Sequence, residues 1–442
     1  MPMDRQTSNF VPYLAAAATT ICTVAGAFLA SRLKFSSWTA AKSTYSSLLG
    51  DESSEPDTSR LFSTTRNPSL AALKVLTSQT TKGGLYPHAS ASEKNIPIFD
   101  CSELRQRTEG QELELQDQFH HILLHGPSVF VLRNLYPDIS VIDAANVAFD
   151  AILKHEKQDH GAKGDHFAPA SNNSRIWNSF SKHCLQDPDS FFKYYSNPFL
   201  ALVCAAYLGP AYRITTQVNI VKPGGAPQTS HRDYHLGFQT AKQVAQWPRS
   251  MQVASQLLTM QGAVAHTDMP LESGPTRFLP FSQLFEEGFM AYRLPEFDEY
   301  FLANWVSLPL KKGDAVFFNP ALFHAAGANQ TSDFERSANL IQVSSAFGKP
   351  METIDSIPLV GRCWDMLSSR YKEEGMSDET DAFVKALVEG YPFPANLDKR
   401  PPAPGGMAPE SEQDIVRRAL REGCSMEEVV GQLKTIRLDS TA

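Results

Sequence analysis

The sequence predicts a mainly β protein with flanking helices, whose core is a double-stranded β-helix, or jelly roll. Two observations support this fold class. Short runs rich in β-branched and aromatic residues recur between residues 212 and 346, with turn signals such as Pro223-Gly224-Gly225 between them. Apolar periods of the helical kind lie mainly before and after this part of the chain. A series of short strands separated by turns is typical of a jelly roll or a related barrel.

Helical patterns dominate the region before the strands, where order is expected to begin near Ile96. Apolar residues recur at helical spacing in three segments, 111–124, 140–157 and 196–208. Gly209-Pro210 ends the third segment. Between the first two, residues 128–132 have the composition of a short buried strand. Helices are therefore expected to precede the strands.

The strand patterns begin at residue 213. The run 213–221 alternates β-branched and polar residues and stops at Pro223. Further short strands are predicted over residues 256–264, 276–279, 305–308, 315–318 and 341–346. A tight turn at Gly313-Asp314 precedes the strand that begins at residue 315.

Helices return beyond Pro350. They are predicted over residues 377–390, 411–422 and 425–433, with a stiff proline-rich connector at 392–406. Ser425, with Glu428 three residues later, has the form of a capping box. We therefore divide the chain into a hydrophobic segment with a Ser/Thr-rich linker (1–95), a jelly-roll domain with N-terminal helices (96–350) and a helical C-terminal extension (351–442).

Charge and cysteine content argue against several classes of protein. With 40 basic against 48 acidic residues the formal net charge is −8, so the chain lacks the basic field that a nucleic-acid backbone requires. The six cysteines lie far apart and form no C-x-x-C pair. This spacing argues against a cysteine zinc site and against a dense disulfide framework.

The N-terminal run from residue 11 to residue 30 has no charged side chain and is about long enough to cross a bilayer as a helix. Its content of Ala and Thr makes its drive to insert weak. Three interpretations stay open: a single-pass membrane anchor, an organelle transit sequence and a soluble tail. Membrane anchoring is the expected localisation. The alternative is a mitochondrial location after presequence removal, for which Arg60-Leu61-Phe62-Ser63-Thr64 resembles a cleavage site.

A candidate metal site is formed by His231-Arg232-Asp233 and His324. Residues two apart on a strand point to the same face, so His231 and Asp233 can reach one ion while Arg232 faces away. His324 follows the predicted strand 315–318 and would supply a third ligand. Two imidazoles and one carboxylate can hold a ferrous ion by one face and leave positions for a co-substrate and dioxygen. We therefore hypothesise a non-haem iron oxygenase.

A lone His-x-Asp pair is weak support, because a surface histidine or a satisfied core histidine gives the same pattern. The chain contains a rival pair, His266 and Asp268, which spacing alone does not exclude. Asp268 runs directly into the loop 269–275, and fewer predicted strands separate this pair from His324. The pair at His231 is therefore preferred.

Three segments occur in a characteristic order: His231-Arg232-Asp233, a Gly-Pro segment within 268–280, and His324 followed by Arg336. This order resembles that of the phytanoyl-CoA dioxygenase family of Fe(II)/2-oxoglutarate oxygenases, and the resemblance covers roughly residues 96–347. It implies His231, Asp233 and His324 as the iron ligands of the catalytic centre, with 2-oxoglutarate as co-substrate. The spacing from His324 to Arg336 is one residue longer than expected in the family, so the loop would need a small bulge.

The resemblance also implies residues that bind the co-substrate. Arg336 would bind the distal carboxylate of 2-oxoglutarate, since a planar guanidinium offers parallel donors to both oxygens. A surface ion pair with Asp333 or Glu335 is the alternative for this arginine. Gln228 and Thr276 resemble family positions that donate hydrogen bonds to the same co-substrate, although polar residues in turns often serve the backbone instead.

The implied reaction converts 2-oxoglutarate and dioxygen to succinate and carbon dioxide while a bound hydrophobic small molecule or acyl-CoA is hydroxylated or otherwise oxidised. We expect Tyr234, His235 and Trp305 to line the substrate pocket. Two other functions stay open: a non-catalytic metal-binding jelly roll, and an iron dioxygenase that needs no 2-oxoglutarate. Membrane association through residues 11–30 would suit a hydrophobic substrate. The substrate and the oligomeric state are not predicted.

Overall fold

A large mixed β-sheet lies at the centre of the fold in the computed structural model, which describes residues 58–160 and 173–441. The strands in this part of the chain are β1 (Ala91–Glu93), β2 (Ile96–Asp100), β3 (Val129–Arg133), β4 (Asn173–Ile176), β5 (Arg213–Val221), β6 (Thr259–Ala265), β7 (Arg277–Phe278), β8 (Ala315–Phe318), β9 (His324–Ala325) and β10 (Arg336–Ser344). The large sheet has the order β1-β2-β3-β8-β6-β10-β5-β4. Its neighbours are antiparallel except β2 and β3, which are parallel.

Alternation along the strands gives the large sheet two different faces. On β8, Ala315 and Phe317 point into a core that the sheet shares with the helices. Val316 and Phe318 point into a second, smaller core on the opposite face. Because residues two apart share a face, one side of the sheet packs against helices while the other faces a second layer.

Helices cover the first of these faces. The α-helices in the described part of the chain are α1 (Leu70–Thr77), α2 (Glu109–Leu124), α3 (Ser140–His160), α4 (Ser179–Gln186), α5 (Pro188–Tyr195), α6 (Pro198–Leu208), α7 (Ala241–Val244), α8 (Arg249–Gln256), α9 (Gly288–Ala291), α10 (Pro295–Asn304), α11 (Ser356–Glu374), α12 (Asp378–Leu387), α13 (Glu412–Glu422) and α14 (Met426–Ser440). Helices α2 to α6 and α11 to α14 contribute buried residues to the core that they share with the sheet. More described residues lie in helices than in strands, so the expectation of a mainly β chain is corrected. Helices α4, α5 and α8 are too short to show a long apolar period, which is why the sequence patterns missed them.

A short second layer faces the other side of the large sheet. Strands β7 and β9 pair antiparallel, and single bridges join His231 to His324 and Phe278 to Val306. The predicted strand 305–308 is therefore reduced to one bridge. Phe278 contacts Phe318 of the large sheet, with ring centroids 5.0 Å apart. Two facing layers are what a jelly roll requires, and that specific topology stays a prediction.

Strand boundaries agree with the sequence where local propensity is strong. β5 and β8 occupy the predicted residues 213–221 and 315–318. β10 begins at Arg336, well before the predicted residue 341, although its first four residues include no β-branched side chain. Its backbone pairs with β5 and, from Ala338, with β6. Pairing on both sides outweighs weak local propensity and sets Arg336 opposite Val221.

The C-terminal helices belong to the large core. Trp364, Phe383 and Ile415 are buried in the same cluster as Phe317 of the sheet. The predicted capping box is confirmed at the start of α14, where the side chains of Ser425 and Glu428 each bond the other's backbone. The C-terminal helices therefore help to cover the helical face of the sheet.

The predicted N-terminal segments lie only partly within the described residues. Residues 11–30 lie outside them, and in the part of the chain that the structure describes no helix is long and apolar enough to cross a membrane. The predicted N-terminal segment with its Ser/Thr-rich linker, 1–95, contains α1 and β1 in its described part. The domain boundaries proposed from the sequence stay a prediction.

Candidate metal centre

The two histidines of the candidate site meet on neighbouring backbone segments. His231 follows β5 and the turn at Pro223, and its N–H donates to the carbonyl of His324 at 3.0 Å. The N–H of His324 in turn donates to the carbonyl of His231 at 3.1 Å. Asp233 is held two residues further on, where its N–H donates to the carbonyl of Pro320 at 3.0 Å. A single β-bridge, rather than a regular strand, therefore brings the three side chains together.

The three side chains form a compact group of potential metal ligands. One nitrogen of each histidine and one oxygen of Asp233 all lie within 4.8 Å of one another. Nε2 of His231 lies 3.7 Å from Oδ1 of Asp233, and Nε2 of His324 lies 3.5 Å from Oδ2. Spacing in the sequence predicted this set, and the structure brings all three members together.

Backbone carbonyls determine which ring nitrogen of each histidine is free. Nδ1 of His231 lies 2.8 Å from the carbonyl oxygen of Thr229, and Nδ1 of His324 lies 2.8 Å from that of Leu322. A carbonyl can only accept, so each Nδ1 carries the proton and donates. Each Nε2 then keeps its lone pair on the side of Asp233, as a metal ligand requires. This donor set fits a divalent transition metal such as iron.

The charges of the group are also those of a metal site. Burial alone would raise the pKa of Asp233, but His231, His324 and a hydrogen bond from Gln261 outweigh it and hold the pKa far below its usual range. Burial lowers the pKa of His231, against the opposing effect of Asp233. At neutral pH the site therefore presents an anionic carboxylate next to a neutral imidazole at His231.

Arg336 lies at the start of β10, on the face of the sheet that the ligands also face. Its side chain is 5% exposed, and among the described residues no hydrogen bond or ion pair satisfies its guanidinium. Burial lowers the pKa of Arg336 to about 10, so the group stays protonated at neutral pH. Neither Asp333 nor Glu335 pairs with it, which removes the alternative of a surface ion pair. A buried cation without a partner marks a place for an anion.

Gln228 and Thr276 lie where the loops of the two layers meet. Oε1 of Gln228 accepts from the N–H of Ala326 at 3.0 Å, while the carbonyl of Gln228 accepts from Nη2 of Arg277 at 2.8 Å. The carbonyl of Thr276 accepts from the hydroxyl of Ser307 at 2.9 Å. The side chain of Gln228 thus links the segment that carries His231 and Asp233 to the residues that follow His324.

One cavity joins all of these groups. Its volume is about 1040 Å³, and its lining includes the three metal ligand candidates together with Arg336, Gln228 and Thr276. Tyr234 also lines this cavity, as expected. The expectation was wrong for His235 and Trp305, which are not among the lining residues. Trp305 instead lies over the guanidinium of Arg277, 5.5 Å from the ring centroid.

A model of the phytanoyl-CoA dioxygenase (PhyH) family matches residues 116–338 of the 442, which is half of the chain. The protein belongs to this family. Membership confirms the resemblance drawn from the sequence, and the family is that of the expected non-haem iron enzymes that depend on 2-oxoglutarate. The iron and 2-oxoglutarate expected from the resemblance are those of this family, and the group of His231, Asp233 and His324 could hold the metal.

Individual proteins that resemble this PhyH family protein have low sequence identity to it. Dioxygenase andF from Emericella variicolor is 28% identical over 145 residues, which span 32% of this chain and 45% of that protein. The epimerase SnoN, solved with Fe3+, alpha ketoglutarate and nogalamycin RO, is 16% identical and has a TM-score of 0.38 over 56% of this chain and 93% of its own. The alpha ketoglutarate dependent carbocyclase SnoK is also 16% identical, with a TM-score of 0.36 over 57% and 94%.

The rival histidine of the PhyH family protein lies in the helical core, apart from the cavity. His266 is 1% exposed and bonds two neutral groups. Nδ1 donates to Oδ1 of Asn146 at 2.6 Å, because the amide nitrogen of Asn146 donates to the carbonyl of His266. Nε2 accepts from the hydroxyl of Tyr194 at 2.9 Å. His266 is a satisfied core histidine, and Asp268 caps the N–H of Lys312.

Sequence reasoning missed one residue that holds Asp233 in place. Gln261 on β6 donates from Nε2 to Oδ2 of Asp233 at 2.7 Å. Arg232 faces away from the site, as expected, but it is 1% exposed and its Nη2 donates to the carbonyls of Ser282 and Phe285 at 2.7 and 2.9 Å. Burial lowers the pKa of Arg232 to about 9. A polar residue within the run 256–264 was the available signal for Gln261, and it was too common a pattern to be decisive.

Proposed function

We propose that this protein is an Fe(II)/2-oxoglutarate-dependent dioxygenase that oxidises a C–H bond of a bound hydrophobic small molecule or acyl-CoA, with hydroxylation as the default outcome. His231, Asp233 and His324 would hold the metal. Arg336, helped by Gln228 and Thr276, would hold 2-oxoglutarate. The observation that carries this proposal is that one cavity is lined by a His-Asp-His group and by a buried guanidinium that pairs with none of the described residues.

The protein would contribute geometry and charge. Iron with 2-oxoglutarate supplies the oxidising chemistry, and the co-substrate leaves as succinate and carbon dioxide. Asp233 offers one negative charge to a divalent ion. The bridge between His231 and His324 keeps their two imidazoles side by side. Gln261 holds the carboxylate in position through a hydrogen bond of 2.7 Å.

Arg336 favours the use of 2-oxoglutarate over the other functions considered from the sequence. The distal carboxylate of the co-substrate would pair with the guanidinium of Arg336, which is already buried and desolvated in the folded protein. A non-catalytic metal-binding protein would have no use for this cation, and neither would an iron dioxygenase without 2-oxoglutarate. The arginine and the family together support the proposed co-substrate.

The proposal is tested with protein loaded with iron under anaerobic conditions. Oxygen uptake and succinate formation are measured with and without 2-oxoglutarate, in the presence of candidate substrates. We expect succinate only when 2-oxoglutarate and iron are both present. His231→Ala and Asp233→Ala should abolish it, whereas the exposed His155→Ala should not. Absence of succinate under every condition would refute the proposal, and oxygen uptake that ignores 2-oxoglutarate would favour the iron dioxygenase without co-substrate.

Membrane association through residues 11–30, and a mitochondrial location as its alternative, stay predictions. Fractionation of cells that produce the protein with a C-terminal tag separates them. A membrane anchor keeps the full-length protein in the membrane fraction after a carbonate wash, whereas a cleaved presequence gives a shortened protein in mitochondria.

A further inference from the structure

Carboxamide side chains line the wall of the cavity that the large sheet provides. Gln217 and Asn219 lie on β5, Gln261 lies on β6 and Gln342 lies on β10. Gln342 and Gln261 are direct cross-strand neighbours. Oε1 of Gln217 accepts from Nη1 of Arg175 on β4 at 2.8 Å. The amides therefore form a polar strip across three adjacent strands of the sheet, β6, β10 and β5.

The strip is buried, and some of its acceptors find no hydrogen-bond partner in the part of the chain that the structure describes. Gln217, Gln261 and Gln342 are 3%, 6% and 8% exposed. Oε1 of Gln261 and Oδ1 of Asn219 are enclosed and accept no hydrogen bond from any described residue. The orientation of the Gln261 amide is fixed, because its NH2 group must face the carboxylate of Asp233. Oε1 of Gln261 is therefore free to accept a hydrogen bond from a ligand.

Other residues that line the cavity offer an apolar and aromatic surface. Trp177, Phe238, Tyr292 and Met351 line the same cavity. The ring of Trp177 lies 5.0 Å from the guanidinium carbon of Arg175, which bonds Gln217. The cavity, at about 1040 Å³, is large enough for a molecule of several rings beside a small co-substrate. The lining thus combines a polar strip with aromatic and apolar side chains.

A purely hydrocarbon ligand does not suit such a lining. Burying the amides against carbon would leave their acceptors and donors unsatisfied, which costs binding energy. A site built to bond a hydroxyl rejects an analogue that lacks it far more strongly than an apolar pocket discriminates by size. The amides are neutral and both donate and accept, so hydroxyl and carbonyl groups match them better than a charged group does.

We propose that the substrate is a neutral, oxygenated carbon skeleton with at least one hydroxyl group, which donates to Oε1 of Gln261. This inference rests on the proposed function and narrows its substrate from hydrophobic molecules and acyl-CoA esters in general. Gln261 acts as a positioning residue, since its amide nitrogen holds Asp233 while its amide oxygen orients the substrate. The hydroxyl would thereby be set at a defined place relative to the candidate metal site.

The test measures binding without turnover. Protein loaded with Mn2+ and 2-oxoglutarate is dialysed without oxygen against matched pairs of probes, borneol with bornane and cedrol with cedrane, and against palmitoyl-CoA. Bound probe is quantified by mass spectrometry. We expect the alcohol of each pair to bind at least about tenfold more tightly than its hydrocarbon, as one satisfied hydrogen bond implies. The preference should fall to less than about threefold in Gln261→Leu and should weaken in Asn219→Leu, which contacts no metal ligand candidate.

Asn304→Leu is the control, because this exposed amide at the end of α10 lies outside the cavity lining. Equal binding of alcohol and hydrocarbon, no binding of either alcohol, tighter binding of palmitoyl-CoA, or an unchanged preference in both cavity variants would overturn the inference. Failure of the proposed function is separate. A protein that selects alcohols but forms no succinate in air refutes the oxygenase, whereas succinate formation without selectivity refutes only the substrate class.

Discussion

At the scale of single residues, the identities of the candidate ligands followed from the sequence, but their states did not. His231, Asp233 and His324 were predicted from spacing and resemblance, and they meet within 4.8 Å. The proton on each Nδ1 is placed by the carbonyls of Thr229 and Leu322, which no sequence pattern displays. Gln261 was missed for a related reason, since an amide within a strand becomes informative only when its partner across the fold is known.

Arg336 carries the first residue-scale prediction. Arg336→Ala should raise the concentration of 2-oxoglutarate needed for half-maximal succinate formation by about 30-fold or more, since a charge-assisted hydrogen-bond pair contributes about 2–3 kcal/mol. Arg336→Lys should recover only part of the loss, because an ammonium cannot offer parallel donors. Titration of 2-oxoglutarate at fixed iron measures both.

The control for Arg336 is Arg370→Ala on the surface of α11, whose pair with Glu374 is exposed. It should leave the requirement for 2-oxoglutarate unchanged. A normal requirement in Arg336→Ala would place the co-substrate elsewhere.

His266 gives a prediction about pH and stability. Burial lowers the pKa of His266 to about 3 in the folded protein, against an ordinary value of 6.5. Between these values the unfolded chain binds more protons, so stability is complete above about pH 6.5 and falls as the pH decreases toward 3. The share of His266 in this loss between pH 7.5 and pH 5 should be about 2 kcal/mol.

Urea unfolding at the two pH values measures this share. His266→Gln should be less stable than the native protein at pH 7.5, and its free energy of unfolding should change with pH by about 2 kcal/mol less. His155→Gln, a change at an exposed position of α3, controls for the substitution itself. Equal pH dependence in the native protein and in His266→Gln would show that this histidine is not buried in its neutral form.

At the scale of elements, strands with strong local propensity were predictable and their pairing was not. β5 and β8 begin and end at the predicted residues, whereas the start of β10 depends on hydrogen bonds to two neighbouring strands. That early start is what positions Arg336 in the cavity wall. The predicted strand 305–308 was wrong because only Val306 finds a partner, at Phe278.

The loop that presents Thr276 approaches the loop after His324 at Gly274. The N–H of Gly327 donates to the carbonyl of Gly274 at 3.1 Å, and a Cβ at Gly274 would clash with the backbone of Ala328. Gly84 has nearly the same positive φ, +76° against +75°, with nothing near its missing Cβ. Substitution of Gly84 therefore tests backbone strain alone, whereas substitution of Gly274 tests strain together with the close contact between the two loops.

Gly84→Ala should cost about 1 kcal/mol of stability through strain alone. Gly274→Ala should cost at least about 2 kcal/mol more, and it should also raise the requirement for 2-oxoglutarate because Thr276 is displaced. Chemical denaturation and 2-oxoglutarate titration of the two variants check this. Equal losses of stability would show that the contact between the loops is unimportant.

At the scale of the whole molecule, the sheet and the C-terminal helices share one core, which the sequence did not predict. Residues 351–442, which hold α11 to α14, were expected as a helical extension with a proline-rich connector, yet Trp364 and Ile415 are buried with residues of the sheet. Apolar periodicity shows that a helix has a buried face, but it does not identify the surface that covers that face. The layered fold with its flanking helices was therefore predictable, and the packing of the C-terminal part was not.

Trp364→Ala tests whether this shared core unfolds as one unit. Trp364 is 2% exposed and its indole N–H donates to the carbonyl of Cys424 at 3.1 Å. We expect a loss of about 3–5 kcal/mol, with helix content and metal binding lost in the same transition. Circular dichroism and Mn2+ binding along a urea gradient measure both.

Trp247→Ala provides the comparison for Trp364, since Trp247 is 42% exposed and its indole N–H donates to the side chain of Gln239. This surface change should cost less than about 1 kcal/mol. Separate transitions for helix content and metal binding in Trp364→Ala would show that the C-terminal helices unfold independently.

The loop between the second histidine and the arginine is closed by one buried side chain, Asn329. Its amide nitrogen donates to the carbonyls of Val221 and Phe334, at 2.9 and 2.8 Å, and its oxygen accepts from Thr331. Chain added or removed between Asn329 and Phe334 would enlarge or shrink a loop whose two ends stay fastened to β5. His324 and Arg336 can therefore keep their distance while the loop varies in length, so an insertion at Ser332 offers a place to attach a probe without disturbing the cavity.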